Sequence, residues 1–213
     1  MSIRAVIFDL DGVLVDSVTL HQRAFEEVFA ELGLSGFDYS LYAGWRTPEV
    51  IATFAREKGL PLRAYEVARW AQEKSERVRA MAADIPVDGA REVIERLGGR
   101  YRLGLASSAP RAAVESFVAR SGCQFDLVLS GDDVKRAKPD PEIYQISLWR
   151  LAVAASDAVV VEDAAAGVEA ARAAGAQVVA ISGTAPAEKL RSAGAREVLD
   201  RLADLPPWLA TQG

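Results

Sequence analysis

Five short apolar runs, each set ahead of a helical stretch, constrain this chain more than any other feature. They are "IRAVIFD" (3–9), "YRLGLAS" (101–107), "FDLVLSG" (125–131), "DAVVVED" (157–163) and "AQVVAIS" (176–182). Continuous rather than alternating apolar runs fit strands covered on both faces, so the repetition predicts an α/β fold with a Rossmann-like parallel sheet wrapped by helices. Helices are expected over 110–122, 140–153, 164–175 and 186–195. Right-handed crossovers then bring the C-terminal ends of the strands to one edge, where a site would form.

The rhythm breaks between residues 18 and 86. No β-like run separates "TLHQRAFEEVFAELG", "TPEVIATFAREKG" and "AYEVARWAQEKSERVRAMAAD", and all three carry apolar residues at helical spacing. They predict a helical module, residues 17–86, inserted into a core made of 1–16 and 87–213. The return is expected at "IPVDGA" (85–90), punctuated by Pro86 and Gly89. The tail "LADLPPWLATQG" is expected to end its helix at Pro206 and fray.

Composition excludes some classes. No apolar run approaches the roughly 18 residues of a membrane span, and the N-terminus lacks a signal-peptide pattern, so a cytoplasmic protein is expected. Cys123 is the only cysteine, which rules out an intrachain disulfide and a cysteine-based zinc cluster. The net charge of −5 argues against nucleic acid as a partner. Neither a P-loop motif nor G-x-G-x-x-G occurs.

The stretch "AVIFDLDGVLVDS" (5–17) runs a buried-type strand into Asp9 and Asp11. A calcium loop does not fit, because Gly12 comes too early and the twelfth position is Leu20. Three other strand ends are expected to carry suitable groups: Ser107, Lys138 in "KRAKPDPEIY", and the pair Glu162 and Asp163. In a parallel sheet these groups converge. Asp9 is a carboxylate at neutral pH and can attack phosphorus directly if the repulsion of a phosphate dianion is cancelled. A divalent cation held by Asp9, the Asp11 carbonyl and Asp163 would be all-oxygen, which suits Mg²⁺. Lys138 adds a second positive charge, and Ser107 with the N–H groups that follow it can take a phosphoryl oxygen. Asp11 can then protonate the leaving alkoxide and deprotonate the incoming water.

The segments "DLDGVLVDS", "LASS", "AKPDPEIY" and "VVVEDAAAGVEAARAAG", in that order, resemble the four motifs of the haloacid dehalogenase superfamily, and the helical module resembles its cap. The likeness covers nearly the whole chain and is strongest with the β-phosphoglucomutase and sugar-phosphate phosphatase group. It implies a Mg²⁺-dependent phosphotransferase with a phosphoaspartate at Asp9, acting on a small phosphorylated metabolite as a monomer or weak dimer. Members that dehalogenate or cleave phosphonates lack the second acid, so Asp11 favours phosphoryl transfer. The family register also favours Ser107 over the adjacent Ser108, and leaves Glu162 either binding the metal through water or orienting its neighbour.

The remaining candidates are expected to face the substrate. His21, the only histidine, follows Asp11 by ten residues, the spacing of a mutase-group histidine that assists the acid/base on closure. "YAGWRTPEV" (42–50) brings Gly44, Trp45 and Arg46 ahead of a helix capped by Thr47, and Arg46 resembles a substrate-reading arginine. Lys74 and Arg111 are further cationic candidates. β-Phosphoglucomutase and a catalytically idle binding protein stand as alternatives, the latter disfavoured because Asp9, Asp11, Ser107, Lys138 and Asp163 are all present.

Overall fold

A computed structural model describes residues 2–16, 18–81, 87 and 89–212. Six parallel strands form one sheet in the order β3-β2-β1-β4-β5-β6. They are β1 (Ala5–Phe8), β2 (Arg102–Ala106), β3 (Leu127–Leu129), β4 (Ala158–Glu162), β5 (Gln177–Ile181) and β6 (Glu197–Leu199). The central strands β1 and β4 are buried at every position. Their alternate residues enter two cores: Val6, Phe8, Val159 and Val161 pack on one face, and Ala5, Ile7, Ala158 and Val160 on the other. This is the expected doubly covered sheet.

Helices α1 (Val18–Glu31), α2 (Thr47–Glu57) and α3 (Ala64–Met81) lie between β1 and β2 in the chain. They share a third cluster, built on Phe25, Phe29, Phe37 and Phe54 and separate from the two sheet cores except for Ala164. Phe29 packs at its centre, with ring centroids 4.5 Å from Phe54 and 4.9 Å from Phe37. Around the sheet lie α4 (Ala90–Leu97), α5 (Arg111–Ser121), α6 (Glu142–Arg150), α7 (Ala165–Ala173), α8 (Ala187–Ala193) and α9 (Leu205–Ala210). Pro86, expected to mark the return to the core, lies outside the described residues. At Val87 the chain is already tied to the core, its N–H donating to Leu14 O at 3.0 Å.

Four local features differ from the sequence reading. The sheet has a sixth strand, β6, whose three half-buried residues carry too short an apolar run to stand out. Helix α4 buries Val93, Ile94 and Leu97 on one face, a helical period in a stretch read only as a return. The tail does not fray: Pro206 lies in the first turn of α9, where a missing N–H costs nothing, and Leu205 and Leu209 complete the first sheet core. Arg46 rather than Thr47 occupies the cap position of α2, without a side-chain capping bond. Among the described residues no helix is long and apolar enough to cross a membrane.

Because Phe29 is 1% exposed and joins α1 to α2, Phe29→Ala should destabilise the protein by about 3–5 kcal/mol, read by urea unfolding.

Candidate active site

The sheet order reverses between β1 and β4, where a parallel sheet opens a crevice beyond its strand ends. One further ladder bond sets the position of Asp9, whose N–H donates to Val161 O at 3.0 Å. Ser107 is fixed the same way past β2, its N–H donating to Leu129 O at 3.0 Å. Its hydroxyl accepts the N–H of Ala109 at 3.0 Å, which shapes the turn into α5.

Lys138 is 2% exposed and joins the two sides of the crevice. Its ammonium donates to Asp9 Oδ1 and Glu162 Oε1, both at 2.6 Å, and to Ala106 O at 3.3 Å. Tyr144 supports this arrangement: its hydroxyl donates to Glu162 Oε1 at 2.5 Å, and its ring lies 4.9 Å beneath the ammonium. Burial pulls the Lys138 pKa down, but Asp9 and Glu162 outweigh it and hold the pKa well above the ordinary lysine value. Asp163 accepts a hydrogen bond from the Thr184 hydroxyl. It is not the cap of α7, where Ala164 takes that position.

Oxygens of Asp9, Glu162 and Asp163 all lie within 4.8 Å of one another. Lys138 lies against two of these three buried carboxylates, Asp9 and Glu162. Burial raises the Asp9 pKa to about 7, helped by Glu162 and Asp11 and opposed by Lys138. Burial and the charges of Glu162 and Asp9 raise Asp163 well above the usual carboxylate range. An all-oxygen cluster with surplus negative charge fits a hard divalent cation.

Asp11 faces the cap. His21 Nε2 stands 3.6 Å from Asp11 Oδ1. On the other side of the ring, Nδ1 has the Tyr39 hydroxyl and the Lys74 ammonium each at 3.2 Å. An ammonium can only donate, so Nδ1 is the acceptor and the ring proton sits on Nε2, toward Asp11. Burial, then the charge of Lys74, lower the His21 pKa to about 4 against the opposing pull of Asp11. Burial likewise lowers Lys74 to about 8. The imidazole is thus neutral over the physiological range.

A cavity of about 380 Å³ lies between cap and core, with Asp9, Asp11 and Asp163 at its core end and His21, Trp45 and Lys74 on its cap wall. Gly44 and Ser108 also line it, and the Ser108 hydroxyl donates to Gly44 O at 2.8 Å. Arg46 and Arg111 are not brought to the cavity. Arg46 is held by core carbonyls, and Arg111 is exposed and paired with Asp133 at 2.7 Å. Sequence reasoning missed Tyr39, Tyr144 and Thr184. Tyr144 closes the segment "AKPDPEIY", and Thr184 follows the tip of β5 beside β4, so both carried a usable signal. Tyr39 carried none.

Gly12 has φ +76, and a Cβ there would collide with the Asp163 carboxylate and lie 2.7 Å from Thr184 Oγ1. Gly12→Ala should therefore cost at least about tenfold in turnover by displacing Asp163, and unchanged kinetics would contradict this packing. A second expectation concerns pH. His21 has a folded pKa of about 4, below its unfolded value of about 6.5. Between the two the unfolded chain binds the extra proton, so stability should be full above pH about 6.5 and be lost as pH falls toward about 4. Denaturant unfolding of His21→Gln across this window should show a shallower loss than the parent protein.

A family model described as haloacid dehalogenase-like hydrolase matches residues 6–181. The validoxylamine A 7'-phosphate phosphatase of Streptomyces hygroscopicus subsp. limoneus is 36% identical over 199 residues, covering 89% of this chain and 91% of the relative. The fructose-1-phosphate phosphatase YqaB of Escherichia coli is 32% identical over 188 residues, covering 82% and 94%. A beta-phosphoglucomutase structure from Clostridium difficile superposes with a TM-score of 0.85 over 99% of this chain and 96% of its own, at 23% identity, a likeness of fold.

Proposed function

Because the chain belongs to the haloacid dehalogenase-like hydrolases, we propose that it is a Mg²⁺-dependent phosphatase of small phosphorylated metabolites, sugar phosphates in particular. The observation that carries this reading is the convergence of Asp9, Lys138, Glu162 and Asp163 at the crevice, with Asp11 turned toward the cap. Relatives named for a fructose phosphate and a validoxylamine phosphate support the substrate class.

Each residue has a task in this chemistry. Lys138 holds Asp9 through Oδ1, leaving the other carboxylate oxygen to attack phosphorus. As that O–P bond forms, the bond from phosphorus to the ester oxygen breaks, and Asp11 gives the departing oxygen its proton. Ser107, whose oxygen accepts the Ala109 N–H, keeps its own O–H to donate to a phosphoryl oxygen. Water then attacks the aspartyl-phosphate, Asp11 recovers a proton from it, and phosphate leaves Asp9 a carboxylate again. Asp9, Asp163 and the Asp11 carbonyl, with Glu162 beside them, would hold Mg²⁺, which would supply positive charge to keep Asp9 ionised and offset the phosphate dianion. Glu162, Tyr144 and Thr184 orient the charged groups. Neutral His21 turns its Nε2 toward Asp11 at 3.6 Å and so helps to position it. The enzyme works in this reading as a cytoplasmic monomer or weak dimer.

One observation favours a second outcome of the same chemistry. His21 of the cap stands beside the acid/base Asp11, with Lys74 behind it on the far ring nitrogen, so an incoming sugar hydroxyl could replace water, as in a β-phosphoglucomutase.

Phosphate release should be measured on sugar phosphates, polyol phosphates and phosphoglycolate, with Mg²⁺ and with EDTA, beside conversion of β-glucose 1-phosphate to glucose 6-phosphate. Mg²⁺-dependent release is expected. Isomer conversion with little release would favour the mutase, and silence in both would refute the enzyme reading. Asp9→Asn should lower turnover by at least about a thousandfold with the fold intact.

A further inference from the structure

Hydrogen bonds that the chemistry does not use cross from cap to core. Arg46 follows Gly44 and Trp45 in the cap loop. Its guanidinium donates to the carbonyls of Gly131 and Val134, and to that of Lys135 at 3.4 Å. All three acceptors lie on the core segment after β3, and a planar fork of donors is the side chain suited to gather them. The Ser108 hydroxyl adds its bond to Gly44 O, and Lys189 reaches Ser40 O at 3.3 Å.

The segment that receives Arg46 is tied to the phosphate end of the site. Ser130 and Asp133 cap it reciprocally, and the Arg111 N–H and guanidinium bind Asp132 and Asp133. Gly131 N–H donates to Ala109 O at 2.8 Å, and a Cβ at Gly131 would lie 2.5 Å from Ser108 O. The segment therefore moves with the Ser107–Ala109 turn. Arg46 Nε is buried without a hydrogen-bond partner, a cost that opening would relieve, as suits a latch.

We infer that Arg46 is a positioning residue, a clasp that fastens the closed cap to the phosphate-binding end of the core without touching substrate. Its loss frees the 44–46 loop and with it the cap wall that carries Trp45. Only the kinetic part of the test rests on the phosphatase reading.

The test uses the full-length protein and its Arg46→Ala and Arg46→Lys variants. Amide hydrogen exchange is followed in 107–109 and 130–135 with Mg²⁺ and inorganic phosphate present, and kcat and KM are measured for the best-hydrolysed hexose phosphate. In Arg46→Ala, exchange in both segments should quicken by at least about tenfold and kcat/KM should fall about 10- to 100-fold. Lysine should restore neither, since one ammonium does not match three carbonyls. Unchanged exchange, full rescue by lysine, or a loss confined to bisphosphate substrates would overturn the inference, the last making Arg46 a substrate reader. If the parent protein hydrolyses no phosphomonoester, the phosphatase reading fails while the exchange comparison still decides the clasp.

Discussion

The two short contacts from the Lys138 ammonium to Asp9 and Glu162 are the interaction on which the rest of the site depends. Removing three carboxylates from water in so small a volume is unfavourable unless positive charge enters with them. The fold supplies one fixed cation and surrounds it with groups that can only hold it in place: the Tyr144 ring and hydroxyl, and the Ala106 carbonyl. Burial, with Glu162 beside both, holds the pKa values of Asp9 and Asp163 above the usual carboxylate range despite that ammonium. A crevice of this charge suits a hard divalent cation, as the proposed chemistry requires.

The helical module works on the other acid. Asp11 is outside the carboxylate cluster and meets His21. Lys74 and Tyr39 face the far nitrogen of the ring, so the imidazole stays neutral and presents its proton to Asp11. In the proposed mechanism this puts acid/base chemistry at the seam between cap and core, where closure would exclude water until the leaving group is seated. The aromatic cluster of Phe25, Phe29, Phe37 and Phe54 packs the helices that carry His21 and Lys74 against one another.

What was legible in the sequence follows from locality. The parallel sheet could be read because continuous apolar runs such as "VVV" before Glu162 have few other solutions. Asp9, Asp11, Ser107 and Asp163 could be named because they stand at or just past strand tips, which topology brings together, whereas Lys138, read as a strand-end residue, lies in the segment between β3 and α6 and reaches the crevice from there. Edge strand β6 and the docked α9 were hidden by short apolar runs and by prolines that start a helix as readily as they end one. Arg46 was misjudged for a different reason. Its residue type suits substrate anions and backbone carbonyls equally, and only the folded chain shows that the segment after β3 comes within its reach.

The central claim is that Asp9 becomes covalently phosphorylated. Rapid acid quench of the enzyme during turnover of a hydrolysed sugar phosphate, followed by peptide mass spectrometry, tests it most directly. A single phosphoryl group on the peptide carrying Asp9, labile to base and absent from Asp9→Asn, is the predicted result. Turnover with no phosphopeptide under conditions that trap such intermediates, or with the phosphoryl group on another residue, would contradict the account.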